Sequence, residues 1–230
     1  MLTLEALTLR QGDFTLHADW TLAPGARLAL IGPSGAGKST VLASIAGFLD
    51  PEAGRILWEG RDLRGTPPGK RPVAMLFQDG NLFPHLTVAR NVGLGIRPDL
   101  KLTAADRDRV SAALTRVGLA GMEDRMPGSL SGGQQSRVAL ARVLVMDRPL
   151  LLLDEPFAAL GPALRAEMLE LVSALCDDTG ATLVMVSHAP EDAQRITGLT
   201  CVVADGQAAP PVDTAAVFAD PPQVLRDYLG

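Results

Sequence analysis

Residues 32–40 read Gly-Pro-Ser-Gly-Ala-Gly-Lys-Ser-Thr (GPSGAGKST). They match the pattern G-x-x-x-x-G-K-[ST], with Gly32, Gly37, Lys38 and Ser39 in its fixed positions. The flanks agree with that match. Residues 26–31 (ARLALI) predict a buried strand and residues 38–48 (KSTVLASIAGF) a helix with an apolar face, so the glycine-rich segment joins a strand end to a helix start. Glycines there let backbone N–H groups turn inward around phosphate oxygens with no Cβ in the way. The helix N-terminus adds partial positive charge, Lys38 a full one, and Ser39 a hydroxyl for Mg2+. Gly32, Pro33, Ser34, Gly35, Ala36, Gly37, Lys38, Ser39 and Thr40 are therefore the candidate nucleotide site.

Upstream, residues 2–10 (with Leu2, Leu4 and Ala6 in phase) and residues 14–22 alternate apolar and polar positions around Gln11-Gly12-Asp13. This predicts two half-buried antiparallel strands, with a third at 55–58. Residues 59–72, rich in Gly, Pro and Arg, read as loop, and 73–77 as a buried strand ending at Gln78. From 79 to about 146 helical periodicity replaces the strand pattern, with helices at 103–117 and 134–145. Residues 150–153, 181–186 and 199–204 then read as buried strands between helices at 162–176 and 191–196, and a Pro-rich tail follows. Strands alternating with helices imply a parallel sheet covered on both faces. The expectation is a single domain over 1–230, with a helical subdomain at about 79–146 inserted in its core.

The net charge is −5, and eighteen arginines accompany only three lysines, with no basic run. That composition argues against a nucleic-acid partner. Cys176 and Cys201 lack metal-ligand or redox spacing, which fits free thiols in a reducing compartment. The first ten residues, MLTLEALTLR, show no basic segment followed by a long apolar one, and no stretch reaches about 18 uncharged apolar residues. The expected location is the cytoplasm, with any membrane association made through another protein.

Two further stretches carry chemistry. At 151–155 (LLLDE) an apolar strand delivers adjacent carboxylates to its C-terminal end, the edge where ligands bind in open parallel sheets. Asp154 is placed to hold Mg2+ and Glu155 to orient or deprotonate an attacking water. Such a pair is often only a solvated turn; the phosphate loop upstream tips the balance. At 130–134 (LSGGQ), Ser131 and Gln134 have capping-box spacing, while two glycines in the first turn cost about 1 kcal/mol each against alanine. Bare amides at that helix start suggest a second anion site, hence nucleotide shared between two copies.

LSGGQ, GPSGAGKST, Gln78 after a strand, LLLLDEP and Ser187-His188 stand in the order and spacing of ABC transporter ATPase subunits, and the resemblance covers residues 1 to about 208. It implies an α/β fold: a RecA-like P-loop NTPase core, an N-terminal antiparallel β-subdomain and an inserted helical subdomain. It implies a homodimer that sandwiches two ATP molecules head to tail, with Mg2+. By the same resemblance Lys38 and the 35–40 amides bind phosphate, Ser39 and Gln78 are metal ligands, and Asp154 holds the metal through water. Glu155 is the catalytic carboxylate, and His188 contacts the γ-phosphate. Ser131, Gly132, Gly133 and Gln134 would act on ATP held by the opposite subunit. Phe14 is the nearest aromatic for stacking on adenine, although Gln11 aligns with the usual position.

The stretches PPGKRPVAMLFQDGNLFPHLTVARNVGLG and LVMVSHAPEDAQRI resemble the ATP-binding subunits of bacterial thiamine importers. That implies an integral membrane permease, a periplasmic or extracellular solute-binding protein, and a peripheral place on the cytoplasmic face of the cell membrane. Residues 78–95 would be the permease docking surface, led by Leu82, Phe83, Pro84, His85 and Leu86. Other solutes, such as polyamine, iron or an anion, remain open, as do a soluble non-transport ATPase and a weakly hydrolysing regulatory subunit. The sequence departs from the family where relatives continue S-A-L-D after the DEP strand end. Here residues 158–161 are Ala-Ala-Leu-Gly, without the aspartate that shapes the site across the subunit interface. Ser136 likewise replaces a longer polar residue.

Overall fold

The computed structural model describes residues 1–229. Strands β1 (Leu2–Gln11) and β2 (Phe14–Leu22) pair antiparallel, and β4 (Ala53–Trp58) adds to the other edge of β1. Period-2 alternation drives this, sending Leu2, Leu4, Leu7 and Leu9 of β1 and Leu16, Ala18, Trp20 and Leu22 of β2 into one core. The alternation expected through Ala6 breaks there. Ala6 sits at φ 44° in a register shift between Leu4 and Leu7, so it is exposed and the buried face resumes one residue later. Residues 59–72 are not all loop: β5 (Arg61–Asp62) returns along β4 over Glu59-Gly60, whose φ values of 51° and 78° suit a tight hairpin turn.

The parallel core consists of β3 (Arg27–Ile31), β6 (Val73–Leu76), β7 (Leu150–Asp154), β8 (Thr182–Val186) and β9 (Leu199–Ala204), side by side in the order β9-β3-β8-β7-β6. These strands are buried on both faces and accordingly read as nearly unbroken apolar runs. Covering helices are α1 (Lys38–Ala46), α5 (Pro162–Thr179) and α6 (Pro190–Ile196). Between β6 and β7 come only helices: α2 (Val88–Gly93), α3 (Ala104–Arg116) and α4 (Gly132–Val145). Both longer ones open on closed capping boxes, Thr103 with Asp106 and Ser131 with Gln134. Their apolar faces join α5 and one face of β6–β8 in a single cluster.

The tail is more ordered than its prolines suggest. Asp205-Gly206, at φ 49° and 72°, turns β9 back into β10 (Gln207–Ala208), which bridges β9 to β2 and makes one continuous sheet. β11 (Val212–Asp213) pairs with β9, and α7 (Thr214–Ala219) and α8 (Gln223–Leu229) follow. Val217 of α7 and fully buried Leu225 of α8 pack with Ala29 and Ile31 of β3 and Ala193 of α6. Among the described residues no helix is long and apolar enough to cross a membrane.

Candidate nucleotide-hydrolysis site

The parallel strands end side by side, and their order places chemistry along one edge. β3 runs into the glycine-rich loop, β8 into Ser187-His188, β7 into Asp154-Glu155 and β6 into Phe77-Gln78. An open cleft of about 450 Å³ at this edge is lined by Gln11, Phe14, Ser34, Gly35, Gly37, Lys38, Ser39, Thr40, Glu155 and His188.

The loop closes on itself tightly enough to require glycine. At Gly32, φ is 154° and a Cβ would lie 2.0 Å from the Val203 carbonyl oxygen; at Gly37, φ is 96° and a Cβ would meet Leu16 at 2.6 Å. Lys38 is buried, and its ammonium donates to the carbonyls of Gly32 and Pro33, each at 2.7 Å. Burial pushes its pKa down, opposed by Glu155 and Asp154. The Ser39 hydroxyl donates to Asp154 Oδ1 at 2.8 Å. Burial raises the Asp154 pKa, with the Ser39 hydrogen bond and Lys38 pulling the other way. A hydroxyl and a carboxylate oxygen facing each other are hard oxygen donors that suit Mg2+, which keeps much of its water and needs no all-protein cage. Among the described residues no group of three or more His, Cys, Asp or Glu side chains is arranged to hold a metal ion by itself.

Glu155 holds the positive φ of 46°, a conformation unfavourable for a side chain with a Cβ, and its N–H donates to the Val186 carbonyl at 3.1 Å. That twist turns the chain out of β7 and aims the carboxylate at β8, where its Oε1 meets His188 Nε2 at 2.5 Å. The other ring nitrogen, Nδ1, lies 3.2 Å from the Tyr228 hydroxyl. Ser187 anchors the loop from below: its hydroxyl donates to Asp192 at 2.6 Å, and Asp192 in turn receives the guanidinium of Arg165 from α5.

The structure brings the loop residues, Phe14, Glu155 and His188 to one cleft and sets Asp154 against Ser39. Phe14 borders it from β2 with its ring against Gly37, and Gln11 reaches Thr40 across the rim at 3.3 Å. Gln78 is exposed after β6 and is not on the cleft wall, because β8 and β7 separate β6 from β3. Ser131, Gly132, Gly133 and Gln134 are not on the wall either: Ser131 and Gly132 face outward at the tip of the helical insertion. The two glycines of LSGGQ, expected to serve only as bare amides, differ in their surroundings. A Cβ on Gly133 would lie 2.3 Å from Leu164 Cδ2, so α4 packs closely on α5 there and a side chain would have to push Leu164 aside, whereas a Cβ on Gly132 would meet nothing.

Several functional candidates escaped the sequence. Fully buried Asn91 on α2 ties down the exposed segment at Phe83: its amide donates to the carbonyls of Phe83, Leu86 and Thr87 and its oxygen accepts from the Phe83 N–H. An Asn among apolar helix positions was the available signal. Arg142 donates to the carbonyls of Gly80 and Asn81, fixing the turn after Gln78. Arg165 and Asp192 hold the Ser187 end of the His188 loop and Tyr228 contacts His188 itself, and no motif marked any of the three.

The ABC transporter family model matches residues 16–158. The "Thiamine import ATP-binding protein ThiQ" of Cereibacter sphaeroides is 64% identical over 230 residues, spanning all of both chains. The protein of the same name from Ruegeria sp. is 58% identical, again over the whole of both, and that of Shigella boydii is 53% identical over 91% of this chain and 90% of its own. Among solved structures, the dimeric ATP-binding cassette MJ0796, in a post-hydrolysis state bound to ADP and phosphate, superposes with a TM-score of 0.81 at 27% identity, covering 93% of this chain and 99% of that one. The Clostridium perfringens protein cbiO1, part of the ABC transporter complex cbiONQ, gives 0.81 at 30% identity over 98% and 93%.

Proposed function

Because the chain belongs to the ABC transporter ATPase family, we propose that it is the ATP-hydrolysing subunit of an importer that takes up thiamine or its phosphates. The observation that carries the ATPase part is the meeting of Lys38, the Ser39–Asp154 pair and the Glu155–His188 pair at one sheet edge beside the phosphate loop. Full-length relatives named for thiamine import support the solute. Nothing in an ATPase cleft recognises thiamine; that task falls to a membrane permease and a solute-binding protein.

In this reading the amides of residues 35–40 and the Lys38 ammonium cradle the phosphates, trading the Gly32 and Pro33 carbonyls for phosphate oxygens. Ser39 and Gln78, the latter carried in by its loop, and Asp154 through water would hold Mg2+, which would supply positive charge to offset that of the phosphates. Glu155 orients and deprotonates the attacking water, and His188 leaves its carboxylate to contact the γ-phosphate. Phe14 offers a face to adenine.

The outward-facing Ser131 and Gly132 complete the site of a second copy, so ATP closes a homodimer and hydrolysis with release reopens it. Exposed Phe83, Pro84 and His85, held by Asn91, form the permease docking surface, and Leu82 and Leu86 turn partly inward. The complex places the chain peripherally on the cytoplasmic face of the bacterial cell membrane, with no nucleic-acid partner.

The test is steady-state ATP turnover of the wild type against Glu155→Gln, with identification of the co-purifying permease and titration of its binding protein with thiamine. Abolished turnover in the variant and thiamine binding are expected. Unaltered turnover refutes the catalytic assignment; a binding protein indifferent to thiamine refutes the solute.

A further inference from the structure

We propose that the cleft between the β4–β5 hairpin and the starting ends of β6 and β7 is a second anion site, separate from the nucleotide cleft, for a small soluble phosphate ester or diphosphate. The cleft measures about 420 Å³, within the range of small-molecule sites, and lies where the antiparallel subdomain meets the parallel core. Trp58 and Arg61 line it from the hairpin, Lys70 from the turn Pro68–Lys70, and Arg148 from the segment that enters β7. The nucleotide chemistry stands at the C-terminal edge of the parallel strands, so this cleft opens at the opposite end of the same sheet.

Charge is what marks the cleft. Arg61, Lys70 and Arg148 reach it from three separate segments of a chain whose net charge is −5. Among the described residues none of these three side chains has an ion-pair or hydrogen-bond partner, although Arg64 on the same hairpin does pair with a carboxylate, Asp62. The one carboxylate on the wall, Glu59, bonds to none of them, which leaves a net of two positive charges. Cations gathered without partners repel one another, and an anion between them relieves that cost. Two guanidinium forks and one ammonium match the oxygens of a phosphate group, and the Thr66 hydroxyl on the same wall can add a neutral donor. The segments that carry the cations are anchored. Arg61 stands directly opposite Trp58 in the β4–β5 pair and so shares the face on which that buried indole packs. Lys70 precedes fully buried Arg71, and the Leu150 N–H donates to the Pro72 carbonyl at 3.2 Å, tying the starts of β6 and β7 together.

The test follows the backbone amide shifts of 15N-labelled full-length protein as inorganic pyrophosphate is added at constant ionic strength, without divalent cations. Pyrophosphate also fits the phosphate loop, so the two sites are read separately: residues 58–72 and 147–150 for the new one, residues 35–40 for the nucleotide cleft. Saturable shifts of the first set are expected, with a Kd of about 1 mM or tighter. Arg61→Gln combined with Arg148→Gln alters two exposed side chains, so folding and basal ATP turnover should be unchanged. The pair of substitutions should weaken that Kd by about tenfold or more and leave the shifts of residues 35–40 as they were. No saturable shift of the first set up to about 10 mM overturns the proposal, as does an unweakened Kd in the variant. Vesicles of phosphatidylglycerol form a second arm: if they shift the first set and pyrophosphate does not, the cleft meets a lipid surface and the soluble ligand is refuted.

Discussion

The Ser39 hydroxyl donates a 2.8 Å hydrogen bond to Asp154 Oδ1, joining the first turn of α1 to the end of β7 across 115 residues of chain. Those two strand ends are two positions apart in the sheet, with β8 between them, so the contact depends on the crossover being complete. It is the part of the site that would be most sensitive to a shift of the phosphate loop against the core.

Asp154 also supplies a pH test. Burial, the largest cause, raises its pKa above the ordinary carboxylate value, so the folded state holds its proton more tightly than the unfolded one. Ionised Asp154 therefore costs stability at neutral pH, and the cost disappears as pH falls through the folded pKa toward the unfolded value. Asp154→Asn, which can still accept from Ser39, should melt at an equal or higher temperature than wild type at pH 8 without nucleotide. The difference should shrink as pH falls toward 4, the unfolded value. The rise in melting temperature on adding Mg-ATP should vanish in the variant. A variant clearly less stable than wild type at pH 8 contradicts the sign.

The signature glycines make separable predictions. Gly133 packs on Leu164, so in Gly133→Ala the leucine must move aside and the melting temperature should come out below that of Gly132→Ala. Gly132 faces open space, so Gly132→Ala should leave the melting temperature the same or slightly higher, since alanine is the better helix former. In a Glu155→Gln background, size-exclusion chromatography with Mg-ATP should show weakened dimerisation for Gly132→Ala. Unimpaired dimerisation would remove Gly132 from the interface.

How far the sequence could be read depended on whether a signal was local. The phosphate loop, the LLLLD strand and the Ser131–Gln134 box are each encoded by contiguous residues, and the parallel core followed from the apolar runs between them. Ala6 was misread because one left-handed residue moves every later side chain of β1 to the other face. Asp205-Gly206 is a hairpin signal that the surrounding prolines masked, so β10 and the closing of the sheet were missed. Asn91, Arg165 and Tyr228 draw their meaning from partners 4 to 40 residues away, a pairing no local pattern reveals.

Arg71 was equally silent in the sequence. Its side chain is 1% exposed, has no salt-bridge partner among the described residues, and donates to the carbonyls of Ser44, Ile45 and Thr66. Two of those carbonyls belong to the last turn of α1, where the helix dipole favours a cation. Arg71 thus pins the far end of the phosphate-loop helix to the segment leading into β6. Arg71→Met should leave buried carbonyls unpaired and cost about 2–4 kcal/mol, lowering the melting temperature by roughly 5–10 °C. A shift under about 2 °C would mean water replaces the guanidinium without loss.

Gly161 tests whether the departure from the family pattern matters for turnover. It occupies the N-cap of α5 at φ −65° and ψ 157°, makes no side-chain cap, and has nothing within 4 Å of where a Cβ would sit. An aspartate fits there without strain and can accept from the first-turn amides, yet Asp for Gly at an N-cap gains only a few tenths of a kcal/mol. Gly161→Asp should therefore move the melting temperature by less than about 2 °C. The kinetic effect is expected to be larger. One turn further along α5, Arg165 grips Asp192 and through it Ser187, so the cap and the His188 loop are ends of one rigid path. A carboxylate at the cap, facing a second copy, would order that path when the dimer closes, and ATP turnover should rise. If the rate is unchanged or lower while dimerisation is intact, Gly161 is no handicap, and the family aspartate has been replaced here by other interface contacts.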